Sequence, residues 1–266
     1  RLGGLGLQLN ALGGFVHFTG WPDRDPLSFM FAYPDYFVPH FAVATVAAAL
    51  DYRRRTGKGQ MIDLAQNEAS FQFIAPYLLE YGANGQESTR CGNRHPDAVP
   101  HNAYPCRGDD SWCAIAVFTE GEWQGFCGVM GNPAWTKDAR FATFSGRQES
   151  EEELDRLIGR WTADHTAREV MELMQAAGVA AGVVKKAEDI RNDPQLRAAD
   201  FFWVMDHPEI GEYPHLGQPA TLSKTPARPR MPAPRLGEHT EYVCKEFLGM
   251  SDAEFDRLLV ADAFGL

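Results

Sequence analysis

Asp35 stands between two tyrosines in Tyr33-Pro34-Asp35-Tyr36-Phe37, just ahead of a long run of small and apolar residues. A carboxylate at the head of a helix has two uses. It can cap the helix by accepting from a free backbone N–H of the first turn. It can also be kept ionised by the helix dipole and attack an activated acyl group as a nucleophile. The two roles are compatible. Other reactive side chains are weaker candidates. Arg94 and His95, in the polar loop Gly92-Asn93-Arg94-His95-Pro96, have the charge to meet an anionic substrate, although exposed loop charge is commonly only solvated. His17 has apolar neighbours and reads as structural. Thr56-Gly57-Lys58-Gly59 lacks the spacing of a P-loop and reads as a helix-to-strand turn. Glu149 and Glu151 to Glu153 fall at a helix start, where acids suit the dipole, so solvated carboxylates are expected there rather than metal ligands.

These residues need elements to hold them. From Phe37 to Arg55, apolar residues recur at helical spacing with small residues between them, which predicts a buried helix able to pack close to another backbone. Pro39 falls early in it, and Arg53 to Arg55 with Gly57 mark its end. Phe15 to Thr19 has strand character and ends at Gly20, and Trp21-Pro22-Asp23 opens a polar loop. Gln60 to Leu64 alternates as a short strand, whose alternation with helices points to a mostly parallel sheet. A helix from about Ala65 to Tyr81, kinked at Pro76, is expected to end at Gly82. Residues 84–101 are polar and form a plausible domain boundary or active-site loop.

Beyond that boundary a hairpin is predicted, with Tyr104-Pro105-Cys106, a turn at 107–110, and an apolar strand from Trp112 to Val117. Capping-box pairs Thr119/Glu122, Thr166/Glu169 and Ser251/Glu254 mark three helix starts. Helices at about 120–130, 149–161 and 167–177, a strand at 180–184, a helical turn at Asp193-Pro194, and a strand from Phe201 to Asp206 with a turn at 207–211 and a return strand complete an α+β unit. Seven of the seventeen prolines lie from Pro208 to Pro234 and predict an extended linker, after which helices at about 239–248 and 252–260 pack back on the first domain.

With 266 residues, 44% of them hydrophobic and 12% aromatic, the chain can bury a sizeable core. A formal charge of −11 argues against a nucleic-acid surface. No apolar run reaches membrane-span length, and the glycine-rich start does not resemble a signal peptide, so a cytoplasmic protein is expected. Five cysteines without a C-x-x-C pair suggest neither a disulfide framework nor zinc, and are expected to be buried thiols.

The run Y-x-D-Y, the small-residue helix ending in R-R-x-T-G-K-G-Q, the short I-D strand and the helix carrying N-E-A together resemble the catalytic segment of the class III CoA-transferases. Pro234-Arg235-Leu236-Gly237-Glu238-His239-Thr240, then Leu248-Gly249-Met250-Ser251 and Glu254, resemble that family's closing segments. The resemblance implies an α/β fold, a Rossmann-like large domain, here partial, with a smaller α+β domain. It implies residues 1–95 and 215–266 as the large domain and 100–210 as the small one. It also implies an interlinked homodimer. The chain starts at Arg1 and lacks the usual N-terminal part, so a fragment is expected.

By the same resemblance Asp35 is the nucleophile. It would take the acyl group from acyl-CoA as a mixed anhydride, then hold CoA as an aspartyl thioester that a small carboxylic acid collects. Backbone N–H groups near Asp35 would stabilise the oxyanions. Tyr33 and Tyr36 would line the pocket or serve packing, and Arg94 and His95 would meet the acceptor. Arg53 to Arg55 and Lys58 could approach CoA phosphates, although helix termination already accounts for the arginines. No cofactor beyond coenzyme A as substrate, no metal, no nucleic acid and no membrane partner is expected. The glycine-rich loop of formyl-transferring members is absent, which argues against formyl-CoA or oxalate. Two alternatives stand beside this reading. One is an α-methylacyl-CoA racemase, weakened because Leu5 replaces its histidine. The other is a non-catalytic or truncated subunit.

Overall fold

The computed structural model describes residues 4–28 and 32–265. Gly3 of the first glycine pair and residues 29–31 of the Trp21 loop lie outside the described residues. The architecture is mixed α/β, and its contacts gather into two units, Arg1–Val184 and Lys185–Leu266.

The first unit opens with helices. α1 (Gly6–Leu12) and α2 (Phe15–Phe18) precede α3 (Tyr33–Thr56), a helix of 24 residues. α4 (Gln66–Phe71) and α5 (Ala75–Asn84) follow. α3 stops where its sequence says it should. Gly57 takes φ 75°, and its N–H donates to the Arg53 carbonyl at 2.8 Å.

Several expectations for this region are corrected. Phe15 to Phe18 is a helical turn rather than a strand, and the Thr19 hydroxyl donates back to the Phe15 carbonyl at 2.7 Å. Only Pro34 and Val38 of α3 are buried, while Val43, Val46 and Leu50 are exposed. The small-residue face is present, but no described residue covers it along its length. Residues 60–64 form no ladder, because a strand needs a neighbour to exchange hydrogen bonds with and no described strand lies alongside. Met61 is left 94% exposed. The helix expected over 65–81 is two helices. Pro76 begins the second, where its missing N–H costs nothing, and the chain leaves at Gly85 rather than Gly82. Both sheets among the described residues are antiparallel, in place of the expected parallel one.

The second half of this unit follows its sequence closely. β1 (His101–Pro105), β2 (Trp112–Ala116) and β3 (Ala180–Val183) form a sheet in that order, with Tyr104 opposite Cys113 and Ile115 opposite Ala181. Its inner face meets α6 (Glu120–Val129), α8 (Glu151–Thr162) and α9 (Ala167–Ala176), with the short α7 (Phe144–Glu149) between. Ile115, Val117, Phe126, Leu154, Ile158, Val170 and Met174 are fully buried there. Alternation in β2 and helical periodicity in α8 and α9 aim these side chains inward. Two of the three predicted capping boxes form here in full, with the Glu122 and Glu169 amides donating to Thr119 and Thr166 at 3.2 Å. Arg147 is buried and therefore needs a partner. It pairs with Glu120 and lies 4.6 Å over the Trp123 ring, fixing α7 to the start of α6.

The second unit holds α10 (Ala187–Arg191), α11 (Pro194–Ala198) capped by Asp193, and a hairpin of β4 (Phe202–His207) and β5 (Gly211–Leu216). The proline-rich stretch runs on without helix or strand to a π-helical turn (Tyr242–Phe247), followed by α12 (Asp252–Val260), where the Glu254 amide donates to Ser251. The expected pairing of 1–95 with 215–266 spans both units and stands as a proposal.

Candidate active site

Three helices meet at Asp35. The helix begins at Tyr33, so Asp35 lies inside the first turn of α3 and does not cap it. Its own N–H donates to the Ala32 carbonyl at 2.9 Å. Its carboxylate is held from outside the helix, where Gln66, the first residue of α4, donates from Nε2 to Oδ1 at 2.8 Å across 31 residues of sequence. The other oxygen faces Gly6, the first residue of α1. A Cβ on Gly6 would sit 2.7 Å from Oδ2 and only 1.9 Å from the Ala32 Cβ. Glycine is required there by close approach. Pro39 adds a local effect, because without an N–H it cannot donate to the Asp35 carbonyl one turn back. Asp35 is thus an exposed residue at the positive end of a long helix, with Oδ1 bonded to Gln66 and Oδ2 lying against the close-packed Gly6.

Tyr33 turns away into an aromatic cluster. Its ring meets Phe15 edge-on at 5.4 Å and Phe37 at 4.7 Å, and Phe37 meets Phe73 at 4.2 Å. These contacts lock the first turn of α3 against α2 and the α4–α5 junction. Tyr36 is 63% exposed beside Asp35. Arg53 to Arg55 lie about 27 Å from Asp35 along the helix axis, and Arg55 pairs with Asp51 at 3.0 Å.

Arg94 and His95 find partners on the sheet half of the unit. Arg94 Nε lies 3.1 Å from Glu151 and Nη2 3.4 Å from Glu152. Glu151 is therefore not the solvated acid its position suggested. Burial raises its pKa, and the guanidinium of Arg94 opposes the shift. His95 Nδ1 accepts from the Asp97 N–H at 3.1 Å, which leaves the proton of the neutral ring on Nε2. Its ring packs against His101 at 5.1 Å and Phe118 at 5.4 Å. The loop is tied to β1 and α8 by these side chains, and none of their contacts is with Asp35, Gln66 or Gly6.

The family model described as CoA-transferase family III matches residues 1–240. The chain belongs to this family. Among curated class III relatives, succinyl-CoA–D-citramalate CoA-transferase of Chloroflexus aurantiacus is 31% identical over 255 residues, 96% of this chain and 63% of the relative. Succinate–glutarate CoA-transferase of Agrobacterium fabrum is 29% identical over 238 residues, 90% of this chain and 59% of the relative. The chain spans less than two thirds of the length of these two relatives. The fold of a CAIB/BAIF family protein from Brucella suis superposes with a TM-score of 0.81 at 29% identity, covering 91% of this chain and 62% of that one. The class III CoA-transferase fold is thereby shown.

Gln66 and Gly6 were not singled out by sequence. Nothing local marks Gln66, because its partner is 31 residues away. Gly6 left a readable trace: a glycine inside the otherwise helix-forming Leu5–Leu12 run destabilises it, and so signals a close approach. Among the described residues no group of three His, Cys, Asp or Glu side chains is placed to hold a metal ion, and no helix is long and apolar enough to cross a membrane. Four cysteines are buried as expected, but Cys91 is exposed.

Proposed function

We propose that this chain transfers coenzyme A between an acyl-CoA and a free carboxylic acid, with Asp35 as the covalent carrier. The observation that carries the reading is the carboxylate itself, on an exposed residue at a helix start, with Oδ1 oriented by Gln66 and Oδ2 beside a glycine. Oδ2 attacks the thioester carbon and CoA thiolate departs. The thiolate then attacks Cγ of the mixed anhydride, giving an aspartyl-CoA thioester and releasing the donor acid. An incoming carboxylate attacks Cγ and expels the thiolate, which takes the new acyl group and frees Asp35. Family membership supports this chemistry, as do the names of relatives. Two of those names record succinate with D-citramalate and with glutarate, which makes succinyl-CoA the first donor to test.

The reading includes an interlinked homodimer in the cytoplasm, with residues 1–95 and 215–266 in one domain and 100–210 in the other. The exposed apolar face of α3 supports a large buried interface in the working enzyme. A racemase is disfavoured by Leu5, which has no proton to exchange. The test uses the native gene product with succinyl-CoA and a panel of carboxylic acids. CoA exchange, with hydroxylamine converting the peptide containing Asp35 to a hydroxamate, supports the reading. Epimerisation without exchange, or neither reaction with any acid, overturns it.

A further inference from the structure

We infer that Gln66 is a catalytic residue of this site, supplying the hydrogen bond that stabilises charge on the aspartyl carbonyl oxygen. The inference deepens the aspartyl reading and rests on it. Every covalent form of Asp35 keeps one original oxygen as a carbonyl, while the other bridges to the acyl carbon in the anhydride and is replaced by sulfur in the thioester. Oδ1 is the oxygen already bonded, to Gln66 Nε2 at 2.8 Å, and Oδ2 is the one facing the Gly6 edge. When Oδ2 has joined the acyl carbon, Oδ1 becomes the double-bonded oxygen of the anhydride. Attack of thiolate on Cγ pushes the carbonyl pair onto Oδ1, and collapse expels the donor carboxylate with Oδ2. Attack of the acceptor carboxylate on the thioester again places the negative charge on Oδ1, and collapse expels the CoA thiolate. Two tetrahedral intermediates therefore develop their charge on the atom Gln66 already touches.

The backbone does not supply this donor from Asp35 itself, because its N–H is committed to the Ala32 carbonyl at 2.9 Å. A neutral amide suits the position. A lysine or arginine would pair with the resting carboxylate and lower its nucleophilicity, whereas a primary amide donates at little electrostatic cost in either state. Gln66 follows Ala65 at the start of α4, and buried Ala69 and Ser70 in the next turn anchor that helix, so the amide is presented from a fixed base.

The test compares the native gene product with Gln66→Leu and Gln66→Glu. In the parent, acyl-CoA alone leaves CoA on the Asp35 peptide, and acceptor removes it. Gln66→Leu is expected to bind acyl-CoA with KM within a few-fold of the parent, while kcat and the rate at which acceptor clears the aspartyl-CoA adduct fall roughly a hundredfold or more, the loss typical of one oxyanion donor. Gln66→Glu donates only when protonated, so its exchange rises as pH falls from 7 to 5 while the parent's does not. This profile also reports on the proposal if Gln66→Leu fails to fold. A Gln66→Leu enzyme clearing its adduct within threefold of the parental rate overturns the assignment and leaves the aspartyl reading intact. So does a Gln66→Glu profile parallel to the parent's. A parent with no CoA adduct on Asp35 overturns the aspartyl reading, and this inference with it.

Discussion

Gly6→Ala is the smallest change that reaches Asp35 without touching it. The added methyl would lie 1.9 Å from the Ala32 Cβ, 2.8 Å from the Ala32 Cα and 2.7 Å from Asp35 Oδ2. Carbon atoms in contact sit about 3.5 Å apart or more, so α1 and the entry to α3 must separate by about 1.6 Å. Two of the three neighbours belong to Ala32, which has no flexible end to swing aside. Overpacking of this kind costs about 1–3 kcal/mol, offset by no more than about 1 kcal/mol from the better helix propensity of alanine. A net loss of about 1–2 kcal/mol in urea unfolding is therefore expected. The functional loss should be larger in proportion, since displacing a reacting group by about 1 Å costs on the order of a hundredfold in rate. Gly82→Ala is the comparison. Gly82 lies inside α5 with nothing within 4 Å of an added Cβ, so it should gain about 0.5–1 kcal/mol and keep its exchange rate. A Gly6→Ala protein as stable and as active as the parent would refute the packing argument.

Three further outcomes are expected. Asp35→Asn should fold with a melting temperature near the parent's, because the side chain is exposed and does not cap α3, yet lose CoA exchange by orders of magnitude; Asp51→Asn, which breaks only an exposed pair with Arg55, should change stability by less than about 1 kcal/mol and leave exchange intact. Arg94→Met leaves Glu151 buried without its counter-charge. Burial raises the Glu151 pKa above 4.5, so the ionised form is the destabilised one, and the variant's deficit should be greatest at pH 7 and shrink as pH falls through the raised pKa toward 4.5, read by urea unfolding at both ends. Iodoacetamide should label Cys91 first in the native protein, because Cys113 and Cys127 are buried with thiol pKa values pushed up to about 11; equal labelling of all five would contradict the core described above.

Sequence patterns were most informative where an element contains its own partners. The capping boxes at Thr119 and Thr166 are local, and the β1–β2 hairpin joins neighbours in sequence, so their signals survived folding. Residues 60–64 carry an equally clear alternation, but a ladder depends on a second segment, and alternation alone does not provide one. The placing of Asp35 at a helix start was legible because a proline and a carboxylate ahead of a small-residue run form a local pattern. Its actual restraints were not, since Gln66 and Gly6 come from α4 and α1. Arg94 and Glu151 were each read alone as exposed charges. They meet across more than fifty residues, and the guanidinium offsets the burial of the acid.

The run Gln60-Met61-Ile62-Asp63-Leu64, in neither helix nor strand, also bears on handling the protein. It presents an unladdered backbone beside a nearly fully exposed methionine, and such an edge recruits other strands indiscriminately. Flanking Lys58 and Asp63 within the run are the charges that discourage misregistered pairing. Removing both, as Lys58→Thr with Asp63→Val, should increase precipitation on concentration and binding of amyloid dyes relative to the parent. On this reasoning Lys58 and Asp63 are gatekeepers of a segment that has no ladder partner among the described residues.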